Sequence, residues 1–349
     1  MEIGSEFWGI PLLEKEEERA DEGIRYVLSG RTALELAGHD LIRERRIRSV
    51  CLPAYCCDSM ISPFLSLGLE VRFYDVQPVK GGLHRLLGEN HGCDAVLLLD
   101  YFGFSEEETR YLAEREHVRG RAVILDRVQS LYSDSSAEEF SDYIVTSWRK
   151  WFFSCAGAAK KRTGEWKIGP EKAPLKEYVR LRREGAEKKA AWIRGAALKK
   201  QTFLDAFAGA EELLDRDFSG YEADARSVED LRRLDISFLK RRRRENAQIL
   251  YQGLSGLDSA RIRPVFPEPG EGDVPLFVPI LVRDSLRDSL RRFLIRNQVY
   301  CPVHWPDPDT GGGTELYAKE LSLLCDQRYE REDMNRQIYV IKEYLNNYA

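Results

Sequence analysis

Short apolar runs recur through the first 150 residues, and amphipathic polar stretches separate them. The apolar runs lie at 49–52, 70–74, 95–99, 122–125 and 143–146, and helical patterns lie at 29–44, 58–67 and 105–116. Continuous apolar strands that alternate with helices are typical of a parallel sheet covered on both faces. We therefore predict an α/β fold built on a mostly parallel, doubly wound sheet.

The pattern changes in the second half of the chain. Long charged helices are predicted at 170–216, and a further helix that links two domains is predicted at 228–254. Beyond a turn-rich break at 267–272 we predict strands at 275–282 and 299–303, helices at 284–296 and 332–347, and a polar loop at 306–313. We divide the chain into an N-terminal arm (1–20), a large domain (21–235) and a smaller C-terminal α+β domain (236–349).

Composition narrows the class of protein. The 349 residues carry a net charge of −5 and are 43% hydrophobic and 32% charged, as in soluble globular proteins. This balance favours neither nucleic acid nor an anionic membrane as a partner. We read the basic run 240–244 as a solvated helix face, because it lacks interleaved aromatic residues.

The sequence also bears on the cellular location of the protein and on metal binding. No apolar run reaches the roughly 18 residues that span a bilayer, and the first residues lack the features of a signal peptide. The 7 cysteines include no CxxC pair, and the 5 histidines include no HxxxH pattern or Cys/His cluster. We therefore expect a cytoplasmic protein with reduced thiols and no metal.

The strongest candidates for chemistry stand at two strand ends. The run 122–125 ends in Asp126, and the run 143–146 is followed by Ser147, Arg149 and Lys150. Active groups of parallel sheets lie beyond the carboxyl ends of the strands. A lysine amine can form a Schiff base with an aldehyde cofactor, and a carboxylate can keep a pyridine nitrogen protonated. This pair suits pyridoxal phosphate.

Other candidates have a structural alternative of equal or greater weight. Ser29 to Thr32 suits a phosphate at a helix start, but the same residues suit an ordinary helix cap. Tyr55 suits stacking on a flat ring, but a lone aromatic at a strand end is more often core. Arg149 is most simply a solvated or ion-paired residue. If it instead points toward the site, its positive charge lowers the pKa of the Lys150 amine.

In order along the chain, these motifs resemble the fold type I pyridoxal phosphate enzymes, specifically the sugar-aminotransferase group of DegT/StrS type. The segments that carry the resemblance are 29–34, 52–56, 125–130 and 146–151. It implies a phosphate-binding turn, a stacking aromatic, a ligand of the pyridine nitrogen, a contact near the ring hydroxyl and the cofactor lysine. The implied cofactor residues are Gly30, Arg31, Thr32, Tyr55, Asp100, Asp126, Gln129, Ser147 and Lys150.

The resemblance continues near the C-terminus. Val303-His-Trp-Pro306 is similar to a family segment that reaches toward the active site, and the candidates for substrate contact are Arg149, His304 and Trp305. Two features depart from the family. The loop 152–159 has no acidic residue, and 219–232 has no asparagine to reach the partner's phosphate site, with Ser227 the nearest candidate.

The resemblance implies an aminotransferase that works as a homodimer. An amino acid such as glutamate would donate the amino group, and a carbonyl acceptor, for example a nucleotide-linked keto-sugar of polysaccharide or secondary metabolism, would receive it. The catalytic residues implied are Lys150 and Asp126. The altered loop leaves a lyase or dehydratase open, and a non-catalytic binding protein with the same fold is a further alternative.

Overall fold

The computed structural model describes residues 2–14, 22–283, 286–308 and 314–348. Its strands are β1 (Ile3–Gly4), β2 (Ile24–Val27), β3 (Ser49–Pro53), β4 (Glu70–Tyr74), β5 (Val76–Val79), β6 (Gly82–Arg85), β7 (Ala95–Leu99), β8 (Ala122–Asp126), β9 (Tyr143–Ser147), β10 (Gly157–Lys161), β11 (Ile262–Pro264), β12 (Phe277–Val282), β13 (Val299–Tyr300) and β14 (Glu320–Leu324). Its helices are α1 (Gly30–Arg45), α2 (Asp58–Ser66), α3 (Glu107–Val118), α4 (Lys176–Ile193), α5 (Gln201–Arg216), α6 (Ala225–Arg232), α7 (Ile236–Leu254), α8 (Arg287–Arg296), α9 (Leu316–Lys319) and α10 (Arg331–Tyr348).

A sheet of seven strands in the order β2-β10-β9-β8-β7-β3-β4 forms the centre of the molecule. Strands β4, β3, β7, β8 and β9 pair in parallel, and β10 runs antiparallel to both β9 and β2. All residues of β3, β7 and β8 are buried, because helices pack on the sheet. Helix α1 contacts β9 and β10, and α3 contacts β7 and β8. The predicted α/β class and its mostly parallel sheet are confirmed.

The C-terminal part has its own three-stranded antiparallel sheet, ordered β11-β12-β14. Helices α7, α8 and α10 pack around it. Strand β1 pairs in parallel with β13, so the beginning of the chain is tied to this part, and Ile3 is buried. Leu12 bridges to Leu234 just before α7. Residues 15–20 of the predicted arm lie outside the described residues, and the division into domains stays a prediction.

Several elements differ from the sequence-based expectation. The pattern at 228–254 predicts one helix, but the structure has two helices there, α6 and α7. Between them, the Asp235 side chain accepts a hydrogen bond from Phe238 N at 2.8 Å. An aspartate at this position caps a new helix. Strands β2 and β10 and the hairpin β5–β6 are not predicted. The sequence of β10, Gly-Ala-Ala-Lys-Lys, lacks the apolar run that reveals its neighbours.

The last third also differs in its boundaries. Of the predicted strand 299–303, only Val299–Tyr300 forms a strand, β13. The predicted helix 284–296 corresponds to α8, which begins at Arg287; residues 284–285 lie outside the described residues. The loop predicted at 306–313 is described only to residue 308. Among the helices that the structure describes, none has the length and apolar character needed to cross a bilayer.

Candidate active site

A cleft opens where the carboxyl ends of β8 and β9 meet the start of α1. It encloses about 630 Å³, including the space open to solvent. Its walls contain Ser29, Gly30, Arg31, Leu34, Cys57, Ser59, Met60, Leu99, Asp126, Val128, Gln129, Ser147, Arg149, Lys150, Leu214 and Trp305. The structure therefore brings most of the predicted site residues together, although they come from separate parts of the chain.

Lys150 lies in a short 3₁₀ turn directly after β9, and its amine has no hydrogen bond or ion pair with the residues that the structure describes. Burial lowers the pKa of Lys150, and the charge of Arg149 lowers it further. The Arg149 guanidinium is held by Glu211, with Nη1 and Oε1 2.6 Å apart. The amine is therefore available in its neutral, nucleophilic form at a lower pH than an ordinary lysine.

Asp126 ends β8 and is only 3% exposed. Its Oδ1 accepts one hydrogen bond, from Val128 N at 2.8 Å. Burial raises the pKa of Asp126 to about 7, although the Val128 hydrogen bond and the charge of Lys150 act in the opposite direction. A buried carboxyl with so few partners is costly to ionise. A cationic or N–H donor group in the cleft would compensate for that cost.

The start of α1 forms the opposite wall. Ser29 caps the helix, since its Oγ accepts from Thr32 N at 3.2 Å. A Cβ on Gly30 would lie 3.2 Å from the Cβ of Ser147, and one on Gly157 would lie 2.4 Å from the carbonyl carbon of Ser29. Glycine at both positions lets the helix start approach the ends of β9 and β10. The positive end of the helix dipole and the Ser147 hydroxyl together suit an anion.

Gln129 and Arg31 also line the cleft, but each is fixed by a contact elsewhere. The Oε1 of Gln129 accepts from Phe102 N at 2.9 Å, which leaves its amide nitrogen as a donor. Arg31 Nη2 binds Asp215 at 2.8 Å, and the Arg31 guanidinium lies over the Phe218 ring. Arg31 therefore contributes its backbone and the base of its side chain to the wall.

The predicted stacking residue, Tyr55, is fully buried and is not part of the cleft wall. Its ring packs against Trp305, with centroids 5.2 Å apart, and against Tyr101 and Tyr317. Trp305 is the aromatic residue that lines the cleft. The sequence shows both residues, but only their packing shows which of them faces the cavity.

Three other predicted residues do not line the cleft either. Thr32 donates its hydroxyl to Phe218 O at 2.8 Å, and Asp100 accepts from Ser135 Oγ at 3.0 Å. His304 is buried beside Ser322, whose Oγ lies 3.1 Å from the ring Nδ1. Each of these residues binds a neighbouring protein group through at least one polar atom, although Oδ1 of Asp100 is buried without a hydrogen-bond partner.

A second cavity lies on the other side of Lys150 and reaches the C-terminal part. It encloses about 970 Å³, including open space, and its polar lining residues include Glu6, Arg149, Lys150, Arg243, Arg291 and Arg328. Glu6 is a site residue that sequence reasoning missed, because its segment showed no motif. Burial would raise the pKa of Glu6, but the charges of Arg182 and Arg149 hold it below its usual value.

No protein-family model matches the sequence, and no curated protein matches it. Solved structures do. The aminotransferase TlmJ from Streptoalloteichus hindustanus is 19% identical, with 94% of this chain and 87% of that chain covered and a TM-score of 0.62. DesI, determined in the presence of its TDP-sugar product, is 15% identical, with 93% and 81% covered and a TM-score of 0.64.

A third similar structure has a different activity. The GDP-4-keto-6-deoxy-D-mannose-3-dehydratase from E. coli, with bound hydrated PLP, is 14% identical, with 91% of this chain and 87% of that chain covered and a TM-score of 0.63. At such identities the likeness shows the fold alone. The chain has the fold of these aminotransferases and of this dehydratase, which confirms the fold that the sequence resemblance implies.

Proposed function

We propose that this protein is a pyridoxal phosphate-dependent aminotransferase. One observation carries the proposal: the buried Asp126 and the partly buried Lys150, which have one hydrogen bond and none, respectively, among the described residues, face the same cleft as the start of α1. Paired titratable groups whose pKa values are shifted toward neutrality are typical of catalytic sites. The dipole of α1 adds a place for a phosphate.

The residues present fit this cofactor. Asp126 would bind the pyridine nitrogen, because among the described residues its carboxyl forms no ion pair and accepts only the Val128 hydrogen bond. The start of α1 at Gly30 and the hydroxyl of Ser147 would hold the phosphate. Gln129 would donate its free amide N–H near the ring, and Trp305 would provide an apolar face. Each of these roles uses a group that faces the cleft.

Pyridoxal phosphate, when bound, supplies an aldehyde that condenses with amines and a ring that withdraws electrons from the substrate. The Lys150 amine would hold the cofactor through its aldehyde, and its lowered pKa increases the fraction of the amine that is neutral and able to do so. When it is not attached to the cofactor, the same amine would move a proton as a general acid and base. Asp126 would keep the ring nitrogen protonated while charge develops.

We infer that an amino acid such as glutamate donates the amino group and that a nucleotide-linked keto-sugar accepts it. The TDP-sugar product of DesI supports the sugar class. In the second cavity Arg328 is paired with Asp326, but Arg291 has no ion pair among the described residues, which supports an anionic group on the substrate. Ping-pong kinetics are expected, and steady-state data that demand a ternary complex would contradict this scheme.

We further propose that the enzyme is a cytoplasmic homodimer. The free state of all seven cysteines supports a reducing compartment. The sequence resemblance supports the dimer, since sites of this fold type are commonly completed by a second subunit. Light scattering of the loaded enzyme should give about twice the mass of one chain, and a strictly monomeric active enzyme would contradict the dimer.

The first test is an absorption spectrum of the purified protein with added pyridoxal phosphate. We expect a visible band that borohydride abolishes and that Lys150→Ala lacks. Lys160→Ala, at an exposed lysine of β10, is the matched control and should keep the band. A wild-type protein without this band would contradict the proposal.

A second candidate function is elimination of water from a sugar, because a dehydratase has the same fold. A keto-sugar carries no amine, so both functions would need the amine form of the cofactor, and they differ in the product. With glutamate and a keto-sugar, an aminotransferase should yield 2-oxoglutarate and an amino-sugar in equal amounts. If the keto-sugar loses water and no amino-sugar forms, the dehydratase assignment replaces the aminotransferase.

A further inference from the structure

A second group of reactive side chains lies toward the amino ends of the parallel strands, whereas the cleft lies at their carboxyl ends. Cys51 is in the middle of β3, and His91 and Cys93 lie in the turn that leads into β7. Their ligand atoms all lie within 4.8 Å of one another. The spacing of histidines and cysteines predicts no Cys/His cluster. The structure differs, because β3 and β7 pair in parallel, with Cys51 opposite Val96.

We propose that Cys51, Cys93 and His91 bind one thiophilic divalent ion of the zinc class. Two thiolates and an imidazole are the ligands that zinc prefers, with Zn–S about 2.3 Å and Zn–N about 2.0 Å. Tetrahedral angles then place two sulfurs about 3.8 Å apart. Because the three ligand atoms lie within 4.8 Å of one another, small side-chain movements would complete three corners of the coordination shell. Water or a further group takes the fourth corner.

The surroundings of His91 support this assignment independently of the thiols. Its Nε2 lies 3.1 Å from Oε2 of Glu116, a buried carboxylate of α3 that Arg115 and Arg121 also bind. A proton on Nε2 can be donated to Glu116, although Arg121 Nη1 also lies 2.8 Å from Nε2. The Nδ1 lone pair accepts from the Cys93 backbone N–H at 3.2 Å, and a metal ion bound there would replace this hydrogen bond. Histidines that bind metals commonly donate their other N–H to a carboxylate in this way.

The position of the cluster indicates a structural role for the ion. His91 and Cys93 precede β7, at the amino end of the parallel strands, whereas Lys150 follows the carboxyl end of β9. The ion would join β3, the turn before β7 and, through Glu116, helix α3. The proposal is therefore independent of the aminotransferase activity, and its test needs no turnover assay.

The first experiment uses the full-length wild-type protein, stripped with a chelator under reducing conditions. Addition of Zn²⁺ should give one tightly bound ion per chain by elemental analysis after desalting. Co²⁺ in its place should give an intense sulfur-to-metal charge-transfer band and the visible bands of a tetrahedral site. Stripped protein that retains no zinc, or Co²⁺ spectra without a sulfur band, would overturn the proposal.

Single substitutions then identify the ligands. Cys51→Ser, Cys93→Ser and His91→Ala should each weaken zinc binding at least about 10-fold, and Glu116→Gln should weaken it about 10- to 100-fold through the orientation of His91. The matched controls are Cys325→Ser, a buried cysteine of the C-terminal part, and His84→Ala, a histidine that pairs with Glu108 away from any thiol. Both controls should bind zinc as the wild type does.

Two results would overturn the assignment even if the protein binds zinc. One is unchanged affinity when Cys51 and Cys93 are both replaced by serine. The other is a Cys51–Cys93 disulfide in mildly oxidised protein together with no zinc uptake after reduction. If a ligand variant fails to fold, the sulfur band of Co²⁺ in the wild type still decides between the outcomes, because it requires no substitution.

Discussion

Two buried aspartates, one within helix α1 and one beside its start, differ in the number of hydrogen bonds that they accept. Asp40, within α1, is 0% exposed and accepts hydrogen bonds from Lys161 Nζ at 2.8 Å, Tyr143 Oη at 2.5 Å and Lys167 N at 2.6 Å. Asp126, beside the start of α1, accepts one hydrogen bond. The pKa of Asp40 is lowered despite burial, because these hydrogen bonds favour its charge, whereas burial raises the pKa of Asp126 to about 7.

This difference indicates that the charge of Asp40 stabilises the fold, whereas the carboxyl of Asp126 is available to a ligand. Burial disfavours the ionised form of both carboxyls, but only Asp40 has protein partners that compensate for it. The same contrast divides the lysines: Lys161 binds Asp40, whereas Lys150 has no partner among the described residues. Uncompensated groups that share one cleft are the physical reason to expect chemistry there and not around Asp40.

The largest effect should follow from Lys150→Ala. Loss of the amine removes both the cofactor attachment and the general acid and base, so we expect turnover to fall by at least about 10³-fold. Steady-state rates with an amino donor and a keto acceptor measure this. Lys161→Ala should instead reduce stability, and a normal rate in Lys150→Ala would remove that lysine from catalysis.

The next effect concerns Asp126→Asn, which keeps the shape of the side chain but removes its charge. We expect turnover to fall about 10²- to 10⁴-fold while the cofactor still binds, because the ring nitrogen loses the carboxylate that keeps it protonated. Absorbance titration with pyridoxal phosphate, followed by turnover on the same sample, separates binding from chemistry. Equal rates in the variant and wild type would exclude this role.

Asp40→Asn should act on stability. The substitution leaves the buried ammonium of Lys161 with weaker compensation, from Glu44 at 3.2 Å, and we expect a loss of about 3 kcal/mol in the free energy of unfolding. Urea unfolding of cofactor-free protein measures the loss. If Asp126→Asn proves as destabilising as Asp40→Asn, the contrast between the two aspartates is wrong.

The last effect is a dependence of stability on pH, which leaves turnover aside. The folded-state pKa of Asp126, about 7, lies above its ordinary value of 3.8, so the folded protein binds this proton more tightly than the unfolded chain. Its contribution to stability is present below pH 4 and is lost as pH rises through 7.

Asp126→Asn removes this titration. Relative to the wild type, the cofactor-free variant should gain on the order of 2–4 kcal/mol between pH 4 and pH 8, at about 1.4 kcal/mol per pKa unit. Urea unfolding at several pH values measures the difference, with Asp134→Asn as a control at another aspartate. A difference that stays constant with pH would show that Asp126 titrates normally in the folded protein.

Hydrophobic periodicity predicts the five parallel strands of the central sheet, β3, β4, β7, β8 and β9. Strand β7 begins and ends where its apolar run does, because a strand buried on both faces must be apolar throughout. Strand β4 also has its predicted bounds, although it lies at the edge of the sheet and is partly exposed. Strand β10 is not predicted, because it consists of small residues and lysines whose burial depends on the neighbouring strands. Pairing with β2 and β9, which are distant in sequence from each other, decides its position.

The candidate site divides in the same way. The sequence by itself determined that Asp126 and Lys150 end parallel strands, and this places them at one edge of a sheet whatever the details of packing. Only the tertiary structure decided that Trp305 faces the cleft while Tyr55 and His304 do not, and that Glu6 reaches the cavity beside Lys150.

The physical reason lies in the range of the interactions. Strand ends follow from local hydrophobic periodicity, which acts over a few residues and can be read from the chain. The direction of a side chain, the partners of a buried charge and the meeting of Cys51 with Cys93 depend on segments that are brought together only by packing. The sequence determined which residues could react, and the tertiary structure decided which of them are left without a partner.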